Sequence, residues 1–377
     1  MKTALVYDWF ADVSGGGEKT FEAIYSLFPS PIYTLLRSLK SLEGTAYEKE
    51  IIHSSFIQKF PKVLKYYRSY LPFYPLAIEQ FDLSSYDLIL SCSHCVAKGI
   101  LTHADQLHLC YCYTPMRYAW DLYHQYLQEA NITKGIKGRL AQFFLHYLRL
   151  WDFQSSGRVD AFGAISHYVA KRIRKTYGRD AKVIYPPVNT DFYQLESKKD
   201  DFYLAASRLV PYKKIDIIVE AFAQMPEKKL VVIGDGPDMS KLKQKATRNV
   251  ELLGHQSDES LKFYLQKAKA FLFAAIEDFG IMPVEAQSCG TPVIGYGKGA
   301  LLETVLRDRT GIFFEEQSPQ SIRDAVIRFE GMQDRLDPAQ IRTHAETFGS
   351  ARFAREFRSW VEGEVQRLQY GTPQCTS

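Results

Sequence analysis

Short runs of consecutive apolar residues alternate with amphipathic stretches along almost all of this chain. That alternation predicts parallel sheets with helices on both faces, an α/β class. TALVYD (3–8) reads as a first strand, followed by a Gly-rich turn and a helix through Phe28. SPIYTLL is a second. DLILSCS (87–93) and LHLCYCY (107–113) are continuous apolar runs of the kind covered on both faces. AFGAIS and AKVIYP close this half.

The pattern breaks at PPVN (186–189) and the polar ESKKDD after it, which places a domain boundary there. A second alternation follows, with strands at FYLAAS, KLVVIG, VELLG, AFLFAA, TPVIGY and GIFFE. From Ser318 onward the pattern is helical, ending in an amphipathic segment at 350–368. The expectation is two doubly wound, Rossmann-like domains, 1–186 and 187–349, facing across a cleft. Ligands of such sheets sit beyond the carboxyl ends of the strands, so the chemistry should lie just after each strand.

After the first strand comes Ser14, then Gly15, Gly16 and Gly17, then Glu18 at a helix start. Glycines admit a ligand close to the backbone, and a helix N-terminus offers free N–H groups to an anion. FYLAAS runs into SRLVPYKKID, where Asp216 is a candidate helix cap. Arg208 and Lys213, separated by a proline turn, can converge on one spot. Two cations suit a diphosphate, and a solvated basic loop fits the same residues. The turn Gly234, Asp235, Gly236 and Pro237 is a weak signal on its own. AFLFAA leads into IEDFGIMPVEA, where Pro283 fits a first helical turn. Glu277 and Glu285 flank that loop. They cannot share a helix face, but they can accept hydrogen bonds from hydroxyls at opposite ends of a bound molecule.

These second-half motifs resemble the donor-binding half of glycosyltransferase family 4, a retaining family with the two-domain GT-B fold. The first-half runs YDWFADVSGGGEK, SCSHCVAKGIL and YCYTPMRYAWD resemble the subgroup of mannosyltransferases that build bacterial O-antigen and related surface polysaccharides. The resemblance implies that Arg208 and Lys213 bind the donor diphosphate, with Lys214, which stands where the family usually has glycine, a further donor-binding candidate that shares or flanks that role. It puts Glu277 by the transferred sugar, Glu285 on the ribose, and the amides of Phe279, Gly280 and Ile281 on sugar and phosphate. The loop at Gly15–Gly16 would close on the donor, and the 350–368 helix would pack back on the first domain. Tyr113 stands where relatives often carry a histidine that contacts the sugar. His94 is a neighbouring candidate for that role or a satisfied core histidine. Trp9, Arg117 and Trp120 are further acceptor-side candidates.

The implied function is transfer of a hexose, mannose from GDP-mannose, to a glycan or lipid-linked acceptor. Another GT-B enzyme such as a sugar-nucleotide epimerase, or a non-catalytic sugar-nucleotide-binding protein, are the rival readings. No cofactor or metal is expected, because Arg208, Lys213 and helix N-termini can meet the diphosphate charge and the chain has no D-x-D motif. Gly295 to Ala300 match G-x-G-x-x-A, with Glu315 about twenty residues on. The position is wrong for a dinucleotide site, which belongs to the first strand of its fold.

A net charge of +4 is too mild for a nucleic-acid binder. Cys92/Cys95 and Cys110/Cys112 lie at ends of strand-like runs; small buried thiols fit better than zinc. No run reaches transmembrane length, and Asp8 interrupts the short apolar N-terminus, unlike a signal peptide. A cytoplasmic location is expected. Segments 60–76 and 134–152 mix Lys and Arg with aromatics, as interfacial helices do, although ordinary amphipathic core helices carry the same pattern. A position on the inner face of the membrane is the corresponding expectation.

Overall fold

The computed structural model describes residues 1–11, 15–129, 132 and 134–370. Two compact units divide the chain. The first holds Met1–Tyr185 together with the chain from Ala354, and the second holds Pro186–Phe353.

The first unit is built on a seven-stranded sheet, with β1 (Thr3–Tyr7), β2 (Ile32–Thr34), β3 (Ile52–Ser54), β4 (Leu88–Ser93), β5 (Leu107–Cys112), β6 (Ala161–Ala164) and β7 (Ala181–Val183). Their order is β3-β2-β1-β4-β5-β6-β7, and every ladder is parallel. β3 adds a strand to the six legible in the sequence. All six residues of β4 and of β5 are buried, because helices cover both faces of a central parallel strand. The segment 60–76 is not one helix. It breaks into Val63–Tyr66, a 3₁₀ run Tyr67–Phe73 and Tyr74–Glu79, since Pro72 and Pro75 remove backbone donors. The helix Ser350–Tyr370 sets Phe357 against Phe28 and Tyr111.

The second unit has β8 (Tyr203–Ala206), β9 (Leu230–Ile233), β10 (Val250–Gly254), β11 (Ala270–Phe273), β12 (Val293–Tyr296) and β13 (Gly311–Phe314). Their order is β10-β9-β8-β11-β12-β13, again parallel throughout. Phe222, Leu230, Ile294 and Phe329 are among its fully buried side chains; burying each contributes about 2 kcal/mol.

In both sheets the strand order reverses beside the first strand. The crevice at such a switch point, outside the carboxyl ends, is where doubly wound sheets hold ligands. One lies between β1 and β4, the other between β8 and β11.

Candidate active site

The second switch point gathers a basic loop and an acidic one. β8 delivers Ser207–Lys214, and β11 delivers Ile276–Gly280. Arg208 is exposed. Lys213 Nζ donates to Glu277 Oε1, each side chain being 18% exposed. The ion pair thus brings together two residues 64 apart in sequence. Lys214 adopts a left-handed conformation at φ 57°, a backbone state in which glycine carries no steric cost. It precedes the helix Ile215–Ala223. Asp216, the candidate cap, instead lies within the first turn and pairs with Lys241 at 2.7 Å.

Two turns brace these loops. A Cβ at Gly234 would stand 1.8 Å from the Ser207 carbonyl oxygen, and one at Gly236 would stand 2.3 Å from that of Leu209. The glycines around Asp235 are therefore required by backbone packing against the basic loop. The turn after β12 does the same for the acidic loop. Ala300 N–H donates to the Glu277 carbonyl at 3.1 Å, and a Cβ at Gly299 would meet that oxygen at 2.8 Å. The glycine pattern that mimics a dinucleotide fingerprint thus supports Glu277.

Gly280, at φ 84°, opens the helix Ile281–Ser288. Phe279 is buried with its ring near Phe348. Glu285 is also buried and hydrogen-bonded by the Tyr193 hydroxyl. Burial, and then this carboxylate, push the Tyr193 hydroxyl's pKa up. Glu277 and Glu285 are accordingly in different surroundings, one half-buried beside a lysine and the other enclosed beside a tyrosine.

At the first switch point a buried carboxylate organises the turn after β4. Asp8, fully buried after β1, accepts backbone N–H groups from His94, Cys95, Val96 and Ala97 at 2.6–3.0 Å. His94 Nδ1 lies 3.1 Å from the same carboxylate, and its side chain is 27% exposed. Because a carboxylate accepts, Nδ1 carries a proton, and in the neutral ring Nε2 is the acceptor. The Trp9 ring stands edge-on to His94 at 4.5 Å, and the Tyr113 ring lies nearly parallel to it.

Tyr113 is engaged elsewhere. Its hydroxyl donates to the Gly17 carbonyl at 3.1 Å, and burial pushes its pKa well up. It is a neutral tie to the glycine turn. Gly15 and Gly16 are exposed there, with Gly15 N–H donating to Glu18 at 3.0 Å; Ser14 lies outside the described residues. Arg117 is half-buried. Trp120 Nε1 donates to Asp152 at 2.7 Å, and Asp152 pairs with buried Lys98 at 2.7 Å.

Asp8, Asp152 and Lys98 escape a motif reading. A carboxylate immediately after the first parallel strand is the one local sign of the first. Cys92, Cys95, Cys110 and Cys112 are free and buried. Burial raises the thiols of Cys92, Cys95 and Cys112. Among the described residues no three His, Cys, Asp or Glu side chains gather as a metal site would require.

Fold and switch-point geometry define a GT-B-type protein of two Rossmann-like units. Residues 189–346, within the second unit, match the family described as Glycosyl transferases group 1. The chain is 27% identical over 205 residues to an uncharacterised glycosyltransferase of Methanocaldococcus jannaschii, covering 53% of this chain and 55% of that protein. It is also 27% identical over 200 residues to a GDP-mannose-dependent monoacylated alpha-(1-6)-phosphatidylinositol monomannoside mannosyltransferase of Corynebacterium glutamicum, covering 45% and 52%. The chain spans about half the length of these curated relatives. The solved structure of Anabaena HepE in complex with UDP is similar over 96% of this chain and 100% of that one, with a TM-score of 0.70 at 16% identity.

Proposed function

We propose that this protein is a retaining glycosyltransferase that moves a hexose, mannose from GDP-mannose, onto a glycan or lipid-linked acceptor of a surface polysaccharide. The observation that carries the proposal is the meeting of Lys213 and Glu277, with Arg208 on the same loop, at the switch point of a group 1 module. Relatives named as GDP-mannose-dependent enzymes support the choice of donor.

In the reaction the bond from the anomeric carbon to the diphosphate breaks, and its electron pair leaves with the phosphate. Arg208 and Lys213 neutralise the charge that develops there. The acceptor oxygen bonds to the anomeric carbon on the face the diphosphate leaves, and the hydroxyl proton passes to the departing phosphate. Glu277 holds sugar hydroxyls and orients the ring. No metal enters this scheme.

Melting curves of the purified protein with GDP, UDP, ADP, GDP-mannose, UDP-glucose and UDP-GlcNAc test the donor, because a ligand that binds the folded state raises Tm. A rise confined to GDP and GDP-mannose, lost in Arg208→Ala, is expected. A rise with uridine nucleotides alone replaces the donor. Hydrolysis or epimerisation of GDP-mannose without transfer to any saccharide rejects the transferase.

A further inference from the structure

The helix Gly135–Ser155 has two apolar faces. Leu148 and Trp151 point into the first unit, with Asp152 and Ser155 beside them. Ile136, Leu140, Phe143, Tyr147 and Leu150 are all exposed. At 100° per residue these five fall within an arc of about 80°, so they form one continuous stripe. Ile136 is 85% exposed, Phe143 65% and Leu150 60%. A water-facing helix surface is ordinarily polar, and a continuous apolar stripe marks an interaction surface.

The charges around the stripe share one sign. Lys134, Lys137 and Arg139 are exposed at its start, and from 134 to 151 there is no Asp or Glu. The first acid, Asp152, is consumed by Lys98. A second stretch of the same unit has the same character. Residues 51–78 contain no acid, and Leu64, Tyr66, Phe73 and Leu76 are exposed beside Lys62, Lys65 and Arg68. Glu79, which directly follows this stretch, accepts from Trp151 Nε1 at 2.8 Å and ties the stretch to the helix. Together they carry about half of the large apolar side chains that the described chain leaves exposed.

We infer that this face of the first unit docks on the surface of an anionic phospholipid bilayer, with the stripe of the helix Gly135–Ser155 lying in the interface. Apolar side chains ringed by lysine and arginine match acyl chains beneath negatively charged headgroups. Among the described residues no helix is long and apolar enough to cross a membrane, so the helix lies on the bilayer and does not span it. A second copy of the chain would meet the same cations with its own, which disfavours self-association through this face. The inference does not depend on the transferase reading.

Flotation of the full-length protein with vesicles tests it directly. Binding is expected to vesicles of equal parts phosphatidylcholine and phosphatidylglycerol, to weaken with salt, and to be far lower on phosphatidylcholine alone. Ile136→Ser and Phe143→Ser should each weaken binding about tenfold, with unchanged Tm because both side chains are exposed. Lys134→Ala and Lys137→Ala should each cost about fivefold, on anionic vesicles only. Failure of the wild type to float with anionic vesicles overturns the inference. So does binding that survives Phe143→Ser and Ile136→Ser combined. A dimer in sedimentation velocity that the serine variants dissolve would assign the stripe to a second copy and overturn it equally.

Discussion

The Asp8 carboxylate accepts four consecutive backbone N–H groups, His94 to Ala97, and also faces His94 Nδ1 at 3.1 Å. One buried acid therefore fixes both the turn after β4 and the ring at its tip. Asp8→Ala strands four amide donors in a buried site, and leaving such groups unsatisfied costs about 1–3 kcal/mol each before any relaxation. Urea denaturation should show a loss of about 4 kcal/mol for Asp8→Ala, the low end of that range for four donors. His94→Ala, at a 27% exposed side chain, should cost under about 1 kcal/mol and yet lower turnover by tenfold or more. A His94→Ala enzyme with wild-type turnover would return His94 to a packing role.

The Lys213–Glu277 pair separates binding from chemistry. Lys213 serves the diphosphate in the proposed reaction, so Lys213→Ala should weaken GDP binding by about tenfold to a hundredfold, the worth of a charge-assisted hydrogen bond. Glu277→Gln keeps the shape and removes the charge. It should leave GDP affinity within about threefold, because the diphosphate takes over the Lys213 ammonium, while turnover falls a hundredfold or more, because the sugar loses its carboxylate. Titration calorimetry with GDP beside a transfer assay measures both. Equal losses in the two assays for Glu277→Gln would make that glutamate a brace for Lys213.

Much of this was legible in the sequence, and the exceptions share causes. The central parallel strands announce themselves as continuous apolar runs, since helices cover both faces. β3 does not, because a three-residue edge strand around exposed His53 has too little burial to leave a pattern. The loops after β8 and β11 are readable, as their cations and carboxylates cluster within short motifs. Asp8 is not, because its partners lie 86 to 89 residues away and no local spacing encodes them. Gly234 and Gly236 mark a tight turn in the sequence, but their packing against the backbone of Ser207 and Leu209, which fills the space a Cβ would need, is not encoded in any local spacing. Asp216 has the chemistry of a cap, yet the turn at Lys214 starts the helix two residues too early for it.

His108 makes the first unit sensitive to mild acid. It is fully buried in β5, with Nε2 2.8 Å from Ser91 Oγ and Nδ1 3.2 Å from the Arg158 carbonyl. Burial lowers its pKa from 6.5 to about 4, helped by the Lys98 and Arg158 cations and opposed by the Arg158 carbonyl. The unfolded chain binds this proton from about pH 6.5 downward, whereas the folded chain does not until about pH 4. The neutral-ring stability is thus present above pH 6.5 and is lost as pH falls toward 4. The loss at pH 5 should be roughly 2 kcal/mol. Comparing urea midpoints at pH 7.5 and 5 for wild type and His108→Gln isolates it from the carboxylates, and the variant should show the smaller drop.

Lys214 offers a substitution that should stabilise. Its φ of 57° is one of three positive values among the described non-glycine residues, and a side chain in that region costs roughly 1–2 kcal/mol. Glycine removes that strain but gives the unfolded chain more freedom, a cost of about 0.5–1 kcal/mol. The balance for Lys214→Gly is a gain of up to about 1 kcal/mol, visible as a higher Tm. Alanine keeps a Cβ and so should gain nothing, which makes it the control for loss of the ammonium. The diphosphate is assigned to Arg208 and Lys213, so GDP affinity should change by less than about threefold in both variants. A tenfold loss shared by glycine and alanine would make Lys214 a third phosphate cation, whereas a loss in glycine alone would trace to the turn.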